Sequence, residues 1–216
     1  MTQDIIKKPI YFICEGRSEN NYLNLLNKFF DENNINYIFQ YNNANLEGVF
    51  SNKGDLEANT CYSKMIKFFK EKFAQNIRSG TFVFWLDDDV FKRKEINKSS
   101  LEKIITEKFS SKNKEIRFIY SYENFEDFLV MHLDDDKINK WQNICEKCNH
   151  FKNPMKAKIY EEKFREIFPN YQKHILPDKI VIDNSKMKLL YDRQQNSQIK
   201  FKCDLIDFIR NKIEKL

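Results

Sequence analysis

Apolar residues along this chain fall alternately into short unbroken runs and into longer stretches with helical spacing. "IYFIC" (10–14), "INYIFQY" (35–41), "TFVFWL" (81–86) and "EIRFIYSY" (115–122) are the short runs. Their length and their β-branched and aromatic content predict strands, and the nearly all-apolar third run fits a strand covered on both faces. Between them the spacing changes. Tyr22, Leu25, Leu26 and Phe29 recur at helical intervals behind Ser18, a residue type that caps helices. Tyr62, Met65, Ile66, Phe69 and Phe73 form a second stripe. Leu101, Ile104, Ile105 and Phe109 form a third, where Ser99 and Glu102 have capping-box spacing. "NFEDFLVMHL" (124–133) predicts a fourth helix, and "NNANLEGVFSNKGD" is the one stretch dense enough in Asn and Gly for a long loop. Strand followed by helix, repeated, predicts an α/β fold with a mostly parallel sheet flanked by helices.

Beyond residue 134 the pattern is mainly helical. "YEEKFREIF" and "CDLIDFIRNKIEKL" have helical periodicity, and "DKIVID" reads as a last strand. The expected division is an α/β core over 1–133 and a C-terminal helical extension over 134–216, packed as one compact unit. Composition adds little to this. With 41% hydrophobic and 15% aromatic residues, the chain can bury a core despite being 32% charged. No apolar run is long enough to span a bilayer, and the N-terminus lacks the order of a signal peptide, so a cytoplasmic protein without a membrane partner is expected. Five cysteines without a framework spacing read as reduced thiols, with Cys14 a small hydrophobe inside its strand. The formal charge of +5 is a mild hint of an anionic partner.

Where the strands end changes the picture more. "YFICEGRSEN" places Glu15 directly after the first apolar run and Glu19 four residues on, and "TFVFWLDDDV" ends in Asp87, Asp88 and Asp89. In a parallel α/β sheet, ligands bind beyond the carboxyl ends of the strands. Asp87 and Asp89 flank a spacer and can point the same way. Carboxylates gathered this closely repel, and a hard divalent cation such as Mg²⁺ or Mn²⁺ relieves that repulsion. Such an ion can activate water and stabilise the leaving oxygen in phosphodiester cleavage. Read alone, each segment also suits a turn or a helix N-cap.

"ICEGRSENNYLNLL", "VFWLDDD" and "SYENFEDFLVMHL" together resemble the three landmarks of the RloB-like proteins. The resemblance covers about residues 8 to 133. It implies a Toprim/Rossmann-like domain, related to that of OLD-family nucleases, in which a glutamate after the first strand and a D-x-D pair after a later one form the metal site. Carried over by position, Glu15, Asp87 and Asp89 are the catalytic and metal-binding acids, with Glu19 and Glu126 as further candidate ligands. His132, within the third landmark, becomes a residue supporting the site from behind. The implied function is a Mg²⁺- or Mn²⁺-dependent nuclease in bacterial antiphage defence, acting on DNA or RNA including tRNA, with an ATPase partner and a homo-oligomer among the expected assemblies. The alternative is a non-catalytic nucleic-acid-binding or regulatory subunit of an ATPase-containing defence system. One departure is Glu123, where the family often has Asn followed by Pro.

Two other features come from the residues themselves. Between positions 92 and 117 there are nine Lys or Arg against four Glu, beginning with Lys92, Arg93 and Lys94. Next to a metal these three could neutralise backbone phosphates; the alternative is a solvated helix. Cys145, Cys148 and His150 have a C-x₂-C-x-H spacing that zinc sites use, without an evident fourth ligand. His132 lies on the apolar stripe of Phe125, Phe128 and Leu129, which also suits a buried, hydrogen-bonded histidine. No P-loop G-x₄-G-K-[ST] is present, which removes the commonest nucleotide phosphotransfer signature.

Overall fold

The computed structural model describes residues 7–14, 16–41, 79–94, 97–109 and 113–212, with the backbone only for residues 90, 93, 94, 108 and 109. The predicted second helix, the long loop and Glu15 lie outside the described residues. The chain divides into two compact units, residues 1–86 with 96–118 and residues 87–95 with 119–216. The division therefore falls after Leu86 and within the fourth strand, in place of the single compact unit with an internal boundary at 133.

The first unit is built on a four-stranded sheet, β1 (Lys8–Cys14), β2 (Tyr37–Tyr41), β3 (Gly80–Asp87) and β4 (Lys114–Ser121), in the order β2-β1-β3-β4. All the strands run parallel. Cys14 pairs with Trp85 and Lys8 with Tyr37, which sets the register on both sides of β1. All four strands match the apolar runs of the sequence, and the expected α/β class, a parallel sheet flanked by helices, holds. Helix α1 (Arg17–Glu32) connects β1 to β2 and buries Tyr22, Leu23, Leu26, Phe29 and Phe30. Phe30 meets Phe39 edge-on at 4.9 Å and Tyr22 meets Trp85 at 6.4 Å, so the helix stripe and the strand interiors form one aromatic core. Asn27, from the same helix, donates to Phe39 O at 2.8 Å and accepts from Phe39 N at 2.7 Å, satisfying both backbone groups on the outer side of β2.

Two predicted caps move. Gly16, not Ser18, is the N-cap of α1, and Ser18 is buried inside the first turn. An added Cβ at Gly16 would lie 2.9 Å from Glu19 Oε2, so the missing side chain lets that carboxylate fold back over the turn. Helix α3 (Lys98–Phe109) is capped by Asn97, whose Oδ1 accepts from Ser100 N at 3.0 Å, and Ser99 is already helical. At the start of β3, Gly80 has φ +135°, and an added Cβ would stand 3.1 Å from the Tyr11 ring.

The second unit is helical. Helix α2 (Asp88–Lys94) begins directly at Asp88, where the sequence suggested a turn. The remaining helices are α4 (Phe125–Leu129), extended by a 3₁₀ turn over Val130–His132, then α5 (Asp135–Lys147), α6 (Ala157–Phe164), α7 (Asn184–Gln195) and α8 (Asp204–Lys212). The core here is again aromatic: Phe164 stacks on Tyr160, is tilted against Phe168, and meets Trp141 and, at 4.7 Å, Tyr171 edge-on. "DKIVID" forms no strand. Ile180 and Ile182 are buried and Val181 is 53% exposed, so the alternation is real, but the segment has no ladder partner among the described residues. A single antiparallel bridge joins Ser121 to Cys203, with Tyr122 N donating to Lys202 O at 2.8 Å. Among the described residues no helix is long and apolar enough to cross a membrane.

Candidate functional site

Most of the chemistry-bearing side chains that the described residues bring together lie in the second unit, around the turn from β4 into α4. Asn124 caps α4, its Oδ1 accepting from Asp127 N at 2.9 Å. This fixes Asp127 in the first turn, wholly buried. A buried carboxylate needs donors, and Asp127 has them on both oxygens. Oδ1 accepts from Trp141 Nε1 at 2.7 Å and from the Tyr160 hydroxyl at 2.8 Å, and Oδ2 takes His150 Nε2 at 3.1 Å. Burial raises the Tyr160 hydroxyl well above its ordinary range, keeping it a donor. One carboxylate thus ties together α4, α5, α6 and the turn after α5.

Asp127, Cys145 and His150 offer ligand atoms within 4.8 Å of one another, a spacing that could hold a metal ion. The predicted zinc spacing is thereby partly realised: Cys145 and His150 are together, Asp127 joins them, and the half-buried Cys148 stands outside the group. The hydrogen bonds argue against an ion here. His150 Nδ1 accepts from Met155 N at 2.9 Å, so the ring proton sits on Nε2, facing Asp127. A metal on Nε2 would move that proton to Nδ1 and set it against the Met155 N–H. Burial, then Asp127, raise the Cys145 thiol, disfavouring the thiolate that zinc requires. Burial also disfavours a charged His150 ring, but the hydrogen bond and charge of Asp127, with Glu123 and Asp89, outweigh it and raise the imidazole above its ordinary value. A second proton would have to displace the Met155 bond, so we read the resting ring as neutral.

A second group adjoins this one. Glu123 has φ +75°, a left-handed backbone that is costly for a residue with a Cβ. Its carbonyl accepts from Asp89 N at 2.7 Å, which secures α2 to the β4–α4 turn. Its carboxylate is buried, and Lys92 Nζ is paired with Oε1 while standing 3.5 Å from Asp88 Oδ2. Oε2 is buried without a hydrogen-bond partner. Burial raises the Glu123 carboxyl, the bond and charge of Lys92 only partly offsetting it.

The predicted site residues are distributed as follows. Asp87 ends β3 and Asp89 is buried in the first turn of α2. Glu15 lies outside the described residues. Glu19 is buried against Gly16 in the first unit. Glu126 is partly buried and accepts from the Tyr171 hydroxyl at 3.1 Å; burial raises its carboxyl. His132 is buried, edge-on to Phe128 at 5.8 Å, and burial with the nearby Lys186 lowers it to about 3. It is a neutral core histidine. Lys92, expected on phosphate, instead meets Asp88 and Glu123, while the side chains of Arg93 and Lys94 are outside the description.

Asp127 and Glu123 were not singled out from the sequence as functional acids. A signal for the first exists: Val130 and Met131, three and four residues on, share its helical face and are apolar, so an acid there implies buried donors. Nothing comparable marks Glu123. No family model, curated protein or solved structure matches the chain.

Proposed function

We propose that the chain is a Mg²⁺- or Mn²⁺-dependent nuclease of bacterial antiphage defence, hydrolysing phosphodiesters of DNA or RNA. The observation that supports this best is the strand order. In β2-β1-β3-β4, the direction of winding reverses between β1 and β3, and open α/β sheets bind their ligands beyond the carboxyl ends at that reversal. Cys14 and Trp85 are paired there, and the chain continues from them into Glu15 and into Asp87 and Asp89.

The donor set is all carboxylate, the chemistry that hard divalent cations prefer. Glu15, Asp87 and Asp89 would hold the ion, which when bound supplies a lowered water pKa and charge neutralisation at the leaving oxygen. The acids fix where water and phosphate meet, and of the three cations that follow them Arg93 and Lys94 are assigned to the nucleic-acid backbone, Lys92 being paired with Glu123. An ATPase partner and self-association belong to this reading through the RloB-like motifs.

Incubation of the purified chain with DNA and RNA in Mn²⁺ tests it. Glu15→Ala and Asp87→Ala should each abolish metal-dependent cleavage and phage protection, since a displaced ion costs more than the reaction tolerates. Metal-free stability should not fall, because relieving like-charge repulsion is favourable. Variants that unfold more easily without metal yet still protect cells would show these acids to be structural.

A further inference from the structure

Lys92 occupies a position that a bound cation would take. Its ammonium is paired with Glu123 Oε1, stands 3.5 Å from Asp88 Oδ2 and 3.4 Å from Phe151 O, so three oxygens surround one positive charge. Two carboxylates against one ammonium leave a net negative charge, which Asp89 and Asp127, close enough to act on the neighbouring His150, make larger. One more observation points to a ligand. Glu123 is 5% exposed, held by a left-handed backbone, and its Oε2 is buried with no donor in reach. Leaving a buried carboxylate oxygen bare is unfavourable unless something occupies it in the working state. Lys92, by contrast, is 35% exposed on a long aliphatic stem and can turn its ammonium out into water.

We propose that Glu123 and Asp88 form a divalent-cation site, and that the Lys92 ammonium holds the place of that cation in the metal-free protein. Mg²⁺ or Mn²⁺ would exchange with the ammonium, taking both oxygens of Glu123, the bare Oε2 included, with one from Asp88, and completing its shell with water. The β4–α4 turn and α2 are already joined through Asp89 N and Glu123 O, which holds the two segments that carry the ligands side by side. Lys92 is then a built-in competitor that sets the metal concentration at which the site fills. This inference rests on the proposed function only in the choice of ion. It places the cation in the second unit and assigns a ligand, Glu123, that the RloB-like pattern does not supply.

The test is a Mn²⁺ titration of the full chain, followed by the paramagnetic resonance of free Mn²⁺, without nucleic acid. Glu123→Gln and Asp88→Asn should each weaken uptake by about tenfold or more, the scale of one lost carboxylate ligand. Lys92→Gln should strengthen it by a similar factor, which a merely structural lysine would not do. Metal-free urea unfolding of each variant identifies any that fails to fold, and the two acid variants back each other up. Wild-type chain that takes up no Mn²⁺ at millimolar concentration, acid variants that bind like wild type, or a Lys92→Gln variant that binds no tighter would each overturn the proposal. Uptake that depends on Glu123 in a chain that cleaves nothing would support it while removing the nuclease reading.

Discussion

Replacing Asp127 with Ala removes the acceptor for three buried donors at once: Trp141 Nε1–H, the Tyr160 hydroxyl and His150 Nε2–H. Each stranded donor costs about 1–3 kcal/mol. Partial relaxation and water entering the small space left by the carboxylate recover some of this, so a net loss of about 3–5 kcal/mol is expected, the range for breaking a buried charged contact. Asp127→Asn keeps one acceptor oxygen but puts an amide against donors, and should recover less than half of the loss. Urea unfolding gives the magnitude, and the indole N–H resonances give the location. The chain has two tryptophans, Trp85 in the first unit and Trp141 in the second. The Trp141 resonance should lose its hydrogen-bonded shift or vanish, while that of Trp85 stays. A chelator should leave the size of the Asp127→Ala loss unchanged, because Asp127 is satisfied by protein donors alone. An Asp127→Ala variant within 0.5 kcal/mol of wild type would refute the reasoning, as would chelator-induced unfolding that follows Asp127; the first threshold is roughly the spread of ordinary surface substitutions.

His132 should make the protein acid-sensitive. Its folded value of about 3 lies below the ordinary 6.5, so its neutral form contributes stability that is fully present above about pH 6.5 and is lost as pH falls toward 3. At about pH 4.5, two units into that window, the loss attributable to this ring is about 2–3 kcal/mol. A His132→Gln variant should lack that part of the slope in urea midpoints taken from pH 7 to 4.5, and a slope identical to wild type would count against the assignment. Gly80→Ala should destabilise the first unit by about 1–3 kcal/mol, since φ +135° and the Tyr11 ring leave a methyl nowhere to go. An unchanged unfolding midpoint would mean that the β3 start relaxes freely.

Strands were more legible than caps and sites, for a physical reason. Buried parallel strands such as "TFVFWL" carry their environment in every residue, so their composition alone marks them. A cap depends on which of several polar residues happens to turn its side chain back. Asn97 rather than Ser99, and Gly16 rather than Ser18, were chosen by local geometry that composition does not encode. "DKIVID" misled because burial on one side produces alternation with or without a neighbouring strand. His150 was visible as a possible ligand, but its partner Asp127 lies 23 residues earlier in the chain. The pairing of Glu123 with Lys92 spans 31 residues and depends on the φ of a single turn, which no periodicity reports.

The two hydrogen bonds from Asn27 to Phe39 have a consequence for how molecules of this chain meet one another. In the order β2-β1-β3-β4, β2 is an outer strand of the described sheet, and the outward N–H and C=O of Phe39 are the groups another strand would use as a template. The amide supplies one donor and one acceptor in the spacing of a peptide group, so it imitates an added strand for one residue. An incoming copy must displace two good bonds before it gains any. Asn27 thus acts as a false neighbour at Phe39, and at that residue a side chain from the same molecule opposes the pairing of a second copy.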